Sequence, residues 1–445
     1  MPFTSTALLA WLQAAAPKRP CWVAYSGGLD SQVLLHALSV SRGSLPAGLG
    51  AVHVDHGLHP DSQHWAARCQ SRCLAWDVPF HALRVDAEPA PGESPEAAAR
   101  RARYAALSDW LAPGACLLTA HHQDDQAETL LLQLLRGSGP RGLAAMPARA
   151  PLGRGWLVRP LLAFTREELR RYAGAHGLDW IDDPSNADPA YERNFLRTEV
   201  MPPLSRRWPG LPRVLARAAR HQSEAAHLLD ALGRIDLQQL AEGRTLSLPA
   251  LLELDAERQR NVLRFWLREL RLPVPSAAVM ERVLDDVLGA GTDARPRVHW
   301  HGAELRRYRQ RLFASPPLPA HDVTQTWTWR PQQPLRLETA GGVLSAVAVQ
   351  GAGVAAALGT RTLQIGFRCG GEVIRRLGHR HHQTLKKLFQ ARGIPPWERD
   401  RVPLVYHGND LIAVAGLWVC AGFEAPPGTP GIRFVWSRLE DLPPA

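Results

Sequence analysis

Residues 23–31 read VAYSGGLDS and run on into QVLLHAL. An apolar strand, two glycines between serines and a helix-forming stretch build a nest of backbone N–H groups at the positive end of a helix dipole, a natural seat for phosphate. Gly27 and Gly28 let the main chain approach an anion with no Cβ in the way, Ser26 and Ser31 bring hydroxyl donors, and Leu29 belongs to the same nucleotide-binding loop. Asp30 is the odd member. A carboxylate beside a phosphate repels it unless a cation stands between them, which implies Mg²⁺ shared by Asp30 and the phosphates. The plain alternative is an ordinary Gly-rich turn with Asp30 as a helix N-cap.

Two further polar clusters follow apolar runs. In TAHHQDDQAETLLLQLLR, five residues crowd together: His121, His122, Asp124, Asp125 and Glu128. Spacings of three and four gather the carboxylates on one helical turn. Such a turn can hold Mg²⁺ and also hold the ammonium of an amine nucleophile, lower its freedom and take its proton; its bland reading is a set of acids complementing a helix dipole. In HVDHGL, Asp55 and His56 stand just past a strand end, where they reach an adenosine or order the neighbouring loop, and His53 reads as a core residue. Arg100 and Arg103 follow Glu96 at helical spacing. They either meet the charge growing on a reacting phosphate or form a solvated pair with Glu96.

The elements that position these clusters alternate. From about residue 20 to 135 the runs CWVAY, GAVHVDH, VPFHALRV and CLLTAH are separated by amphipathic helical stretches. That alternation predicts a parallel sheet covered on both faces, with ligands at the carboxyl ends of its strands. Residues 137–212 are loop-rich and basic, and 213–290 are mostly helical in pattern. VHWHGAELRRYRQRLFA is hairpin-like, 315–335 reads as a linker, and roughly 345–440 holds short strands around the helix TLKKLFQARG.

With 445 residues, a formal charge of +10 and a pI near 9.8, the chain is large enough for about three domains and is suited to a polyanionic partner. Arginine supplies nearly all of the positive charge, because lysine occurs only at Lys18, Lys386 and Lys387. Arg375, Arg376, Arg380, Lys386 and Lys387, interspersed with His379, His381 and His382, form a basic cluster that fits an RNA backbone or, alternatively, a solvated face. Trp397 either stacks on a base or packs under the hairpin. The six cysteines have no paired zinc spacing, which reads as reduced thiols in a cytoplasmic protein. No stretch approaches the roughly 18 apolar residues of a membrane span, and the first residues lack the basic region of a signal peptide.

SGGLDS is similar to the PP-loop of the N-type ATP pyrophosphatases, which cleave ATP between its α and β phosphates and adenylate an oxygen of the substrate; no Walker GxxxxGK[ST] string occurs. Taken with HVDHGL, ARRARY, HHQDDQAETLLLQLLRGSGPRGLAAM, RPLL, HGLDWIDDPSNAD, RNFLR and the C-terminal run RRLGHRHHQTLKKLFQARGIPPWERDRVPLVYHGNDLIAVAGLWV, it resembles the bacterial tRNA(Ile)-lysidine synthetases. The resemblance covers about 20–210 and 365–425. It implies an α/β architecture: a parallel-sheet PP-loop (adenine nucleotide α-hydrolase-like) catalytic domain at 1–212, a mainly helical tRNA-recognition domain at 213–315 and a small α/β tRNA-binding domain at 345–440. It further implies ATP and Mg²⁺ as cofactors, and the CAU-anticodon isoleucine tRNA and free L-lysine as partners. The expected reaction adenylates the wobble cytidine, whose activated carbon is then attacked by lysine, forming lysidine and expelling AMP. On this chain Ser26–Ser31 would hold ATP, Asp30 the metal, and Asp124, Asp125 and Glu128 the lysine. A PP-loop tRNA thiolase using Cys69 and Cys73, and a nucleotide-sensing RNA-binding protein without catalysis, are the competing expectations.

Overall fold

Four short apolar runs become the parallel strands that the pattern requires. In the computed structural model, which describes residues 2–16, 18–45, 47–57, 61–90, 94–182, 191–291 and 294–439, the first elements alternate as expected. They are α1 (Ser5–Ala15), β1 (Cys21–Ala24), α2 (Leu29–Ser39), β2 (Leu49–Asp55), α3 (Ser62–Ala75), β3 (Phe80–Arg84), α4 (Pro95–Trp110), β4 (Cys116–Leu118) and α5 (Gln123–Leu135). β1 lies between β2 and β4, parallel to both. Neighbouring residues of each strand point to opposite faces. Val23 and Leu118 therefore join a core with Leu34, Leu35 and Leu38 of α2, while Leu117 joins Leu107 and Leu111 of α4 on the other side.

The loop-rich reading of 137–212 misses part of this sheet. After the short α6 (Pro140–Leu143), β5 (Arg149–Leu152) and β6 (Gly155–Val158) form an antiparallel hairpin, and β6 pairs in parallel with β4. The resulting order is β3-β2-β1-β4-β6-β5. Gly153, at φ +53°, supplies the left-handed residue of the hairpin turn. The chain continues through α7 (Arg166–Ala175), α8 (Glu192–Phe195), a wider helical turn at Leu196–Val200, α9 (Met201–Arg207) and the long α10 (Leu211–Leu240). The DPSNAD part of the HGLDWIDDPSNAD string lies outside the described residues.

The chain divides into two compact units, Met1–Ala231 and Leu232–Ala445. The second contains helices such as Ala256–Glu269, whose Val262, Leu263 and Trp266 pack on Leu305 and Leu312 of a five-stranded antiparallel sheet. The mainly helical middle thus includes more strand than its pattern announces, because the hairpin at 297–315 recruits two short strands from 241–247. Further on, two antiparallel sheets of five and four strands accompany the helix Leu385–Ala391. The strand Trp327–Trp329 falls inside the stretch expected to be a linker, held by pairing with Leu363–Gly366. No helix among the described residues is long and apolar enough to cross a membrane.

Candidate active site

The strand order reverses at β1, whose neighbours β2 and β4 lead away in opposite directions. In an open α/β sheet the crevice at the carboxyl ends of such strands is the place for a ligand. Both main polar clusters open there, SGGLDS after β1 and HHQDDQAE after β4. Gly27 adopts φ +82°, and a Cβ there would sit 2.7 Å from Ile181 Cδ1 and 2.9 Å from Cys69 Sγ. The Ile181 amide also donates to the Gly27 carbonyl at 3.0 Å. Glycine is therefore required by both backbone and space. Gly28 caps the N-terminus of α2, leaving Leu29 and Asp30 in the first turn. Ser31 is buried, and its hydroxyl donates to the Gly28 carbonyl at 3.0 Å and lies 3.1 Å from Ser26 Oγ. These hydroxyls brace the loop, and of the two only Ser26 is exposed.

Asp30 Oδ1 is buried without a partner, an orphaned anionic oxygen of the kind that a hard divalent cation satisfies. Its other oxygen faces His122 Nε2 at 3.6 Å. His122 is the hub of the site. It is the N-cap of α5, and its imidazole lies 3.6 Å from Asp124 Oδ2 and 3.4 Å from Asp125 Oδ2. Burial alone would discharge this ring, but Asp125, Asp124 and Asp30 outweigh it and raise its pKa to about 10. The ring is an imidazolium, consistent with the long 3.4 Å separation between its Nδ1 and the Asp125 amide. His121 turns aside onto Thr119 Oγ1 at 2.9 Å; burial pushes its pKa down to about 4.

The three acids of α5 differ sharply in what they face. Asp124 is 29% exposed and accepts the Arg166 amide at 2.9 Å. Asp125 accepts the His122 amide at 2.9 Å and Arg197 at 3.2 Å. Burial would lift its pKa, yet His122 and Arg193 hold it below the usual carboxylate value. Glu128 is only 3% exposed and is saturated, bonded by Arg193 Nε at 3.0 Å and by Arg197 Nε and Nη2 at 2.8 and 2.9 Å. Glu128 therefore has no room for an incoming ammonium, and of the three only Asp124 keeps an open carboxylate. Arg193 and Arg197 are the site residues that sequence reasoning missed. Their spacing of four in RNFLR was the available signal, because it puts two guanidiniums on one face of a helical turn.

Arg103 turns towards His56, donating to its Nε2 from Nε at 3.1 Å and from Nη2 at 3.0 Å. Burial, then Arg103, lowers the His56 pKa to about 4, so the ring is the neutral acceptor. Asp55 accepts the Gly57 amide at 2.9 Å and shapes the loop after β2. Arg100 is exposed and lies over the Tyr104 ring at 5.1 Å; the Glu96 side chain lies outside the described residues. Among the described residues no group of three or more His, Cys, Asp or Glu is placed to hold a metal by itself. Cys69 and Cys73 are buried, and burial pushes both thiols up to about 12, which removes the reactive thiolate.

In the second unit, Arg375, Arg380, Lys386 and Lys387 are exposed, and Arg376 is tied to Gln383 Oε1 at 2.9 Å. Trp397 packs edge-on against Tyr308 and Phe313, with the Arg306 guanidinium 5.0 Å from its ring.

Three family models match the chain: a PP-loop domain over 4–204, a TilS substrate binding domain over 246–313 and a TilS substrate C-terminal domain over 363–436. A tRNA(Ile)-lysidine synthase from Coxiella burnetii is 44% identical over 442 residues, covering 99% of this chain and 97% of that protein. Another from Alkalilimnicola ehrlichii is 44% identical over 422 residues, covering 94% of each. Among solved structures, a U34-tRNA thiolase from Methanococcus maripaludis aligns with 49% of this chain and 77% of its own, at 16% identity and a TM-score of 0.43.

Proposed function

Because the chain belongs to the tRNA(Ile)-lysidine synthase family, we propose that this ATP-using ligase joins free L-lysine to the wobble cytidine of the CAU-anticodon isoleucine tRNA. ATP is cleaved beyond its α-phosphorus, the cytidine carbonyl oxygen is adenylated, and the lysine ε-amine displaces AMP. The observation that carries this reading is the meeting of the SGGLDS loop and the α5 cluster through Asp30 and His122 at the strand-order reversal.

The amides at the start of α2 receive the ATP phosphates, helped by the dipole of an eleven-residue helix. Asp30, with its unpartnered oxygen, is the residue that would hold Mg²⁺. When bound, that ion neutralises phosphate charge as pyrophosphate departs. Asp124 holds the amine and lowers its freedom. Asp125 and Glu128 anchor Arg193 and Arg197, fixing cationic groups beside the open carboxylate at no cost of reorganisation during the reaction. Arg100 supplies a cation for the phosphate, while Arg103 and His56 order the nucleotide side of the crevice together with Asp55. The exposed cluster Arg375, Arg380, Lys386 and Lys387, with Arg376, contacts the tRNA backbone. The high, buried pKa values of Cys69 and Cys73 speak against sulfur transfer.

The test is Asp30→Ala. It should bind the tRNA nearly normally yet release no pyrophosphate and form no adenylate; normal turnover would remove Asp30 from the mechanism.

A further inference from the structure

Residues 201–223 contain five arginines, Arg206, Arg207, Arg213, Arg217 and Arg220, and no acidic residue. They lie on α9, the turn at 208–210 and the first half of α10, in the same compact unit as the PP-loop. All five are exposed. Residues 213, 217 and 220 follow a spacing of four and three, which puts their side chains on one face. At a rise of about 1.5 Å per residue they span about 10 Å, an axial run over which one nucleic-acid strand presents about three phosphates.

An ordinary solvated helix intersperses both signs of charge, and the second half of α10 does so. There Asp230 takes Arg141 at 2.9 Å and Asp236 takes Arg258. In the first half the nearest acid is Glu224, which reaches back to Arg220 at 3.9 Å and His221 at 3.6 Å. Among the described residues Arg206, Arg213 and Arg217 make no ion pair. Beside this stripe stands Trp208, 54% exposed, with the Arg207 guanidinium 5.5 Å from its ring centroid. A large exposed aromatic next to unpaired guanidiniums is the pairing that RNA recognition uses, one part for bases and the other for phosphates.

We propose that Arg213, Arg217 and Arg220, with Arg206, Arg207 and Trp208, form an RNA-backbone interface on the unit that carries the PP-loop, in addition to the cluster at 375–387 of the second unit. It rests on the reading that the substrate is a tRNA. Contacts of this kind act equally on bound substrate and transition state, so they set KM for the RNA and leave kcat alone. They also release counterions, with a salt slope of about 0.7–0.9 per phosphate neutralised.

The experiment compares the full chain with Arg213→Gln/Arg217→Gln/Arg220→Gln, in which glutamine preserves helix propensity, and with a triple lysine variant that keeps the charge. Binding and turnover of the isoleucine tRNA are measured between about 50 and 200 mM salt, the window in which counterion release is steep. The glutamine variant should raise the tRNA KM at least tenfold, flatten the log–log salt slope by about two and keep kcat at saturating tRNA. The lysine variant should keep both the tRNA KM and the salt slope, because rescue by charge alone is what a structural role for the guanidiniums would not produce. An unchanged KM and slope in the glutamine variant, with wild type active, overturns the interface, including the outcome in which the stripe serves an acidic protein. A wild-type chain that modifies no tRNA overturns instead the functional reading beneath it. Trp208→Ala provides an independent arm: it should weaken RNA binding without changing the salt slope, and unchanged affinity would remove the aromatic from the interface.

Discussion

Glu128→Gln separates a structural acid from an acid that receives substrate. The carboxylate is 3% exposed and takes three hydrogen bonds from two guanidiniums, at 2.8, 2.9 and 3.0 Å. Glutamine keeps the shape but removes the charge and turns an NH2 group towards N–H donors. Removing one partner of a buried ion pair costs about 3–5 kcal/mol. Because Arg193 and Arg197 retain 24% and 29% exposure and still have Asp125, the lower end applies. For a unit of 231 residues, each kcal/mol lowers Tm by about 2–4 °C, so Tm should fall by about 6–12 °C. Thermal unfolding with lysine and tRNA kinetics at 20 °C or below gives both readouts. Adding Arg197→Gln should cost much less than the sum of the single changes, since the two groups share one interaction. A Tm within about 2 °C of wild type, with lysine KM raised severalfold, would refute the reasoning and make Glu128 an amine-binding acid.

Gly27→Ala should raise KM for ATP at least tenfold, because a left-handed alanine costs about 1–2 kcal/mol and its Cβ would also strike Ile181 and Cys69; unchanged ATP kinetics would contradict the loop geometry. The double change Cys69→Ser and Cys73→Ser should retain turnover per folded molecule, and its abolition would revive a thiolase reading. His56 titrates near pH 4 when folded, against 6.5 for an ordinary ring, so the unfolded chain binds the extra proton between those values. The stability from burying it neutral is complete above pH 6.5 and is lost as pH falls towards 4. His56→Gln should therefore make urea unfolding less pH-dependent across that window, and an identical slope in wild type and variant would contradict the neutral assignment.

The strands around the crevice were legible because a parallel sheet buried on both faces needs near-continuous apolar runs, and CWVAY, GAVHVDH and CLLTAH supply them. The β5–β6 hairpin was not, because its proline and glycines read as loop and its partner strand is distant in sequence. Within the crevice, residue types and spacing were sufficient to single out SGGLDS and the α5 acids as two clusters that the fold brings together. They were not sufficient to divide labour among those acids. Glu128 meets Arg193 and Arg197 across separations of 65 and 69 residues, and His122 reaches Asp30 only because β1 and β4 are adjacent. Local periodicity records neither. The contacts of Trp397 with Tyr308 and Phe313 were equally invisible in the sequence, because they join it to the hairpin across more than 80 residues.

The central claim is that ATP is split beyond its α-phosphorus so that a pyrimidine oxygen becomes a leaving group for an amine. Incubating the full chain with the isoleucine tRNA, lysine and ATP labelled at the α and γ positions, then analysing nucleotides and the digested RNA together, tests it most directly. The expected products are AMP, pyrophosphate and a cytidine carrying one lysine at the wobble position. ADP with orthophosphate and an unaltered anticodon would contradict it.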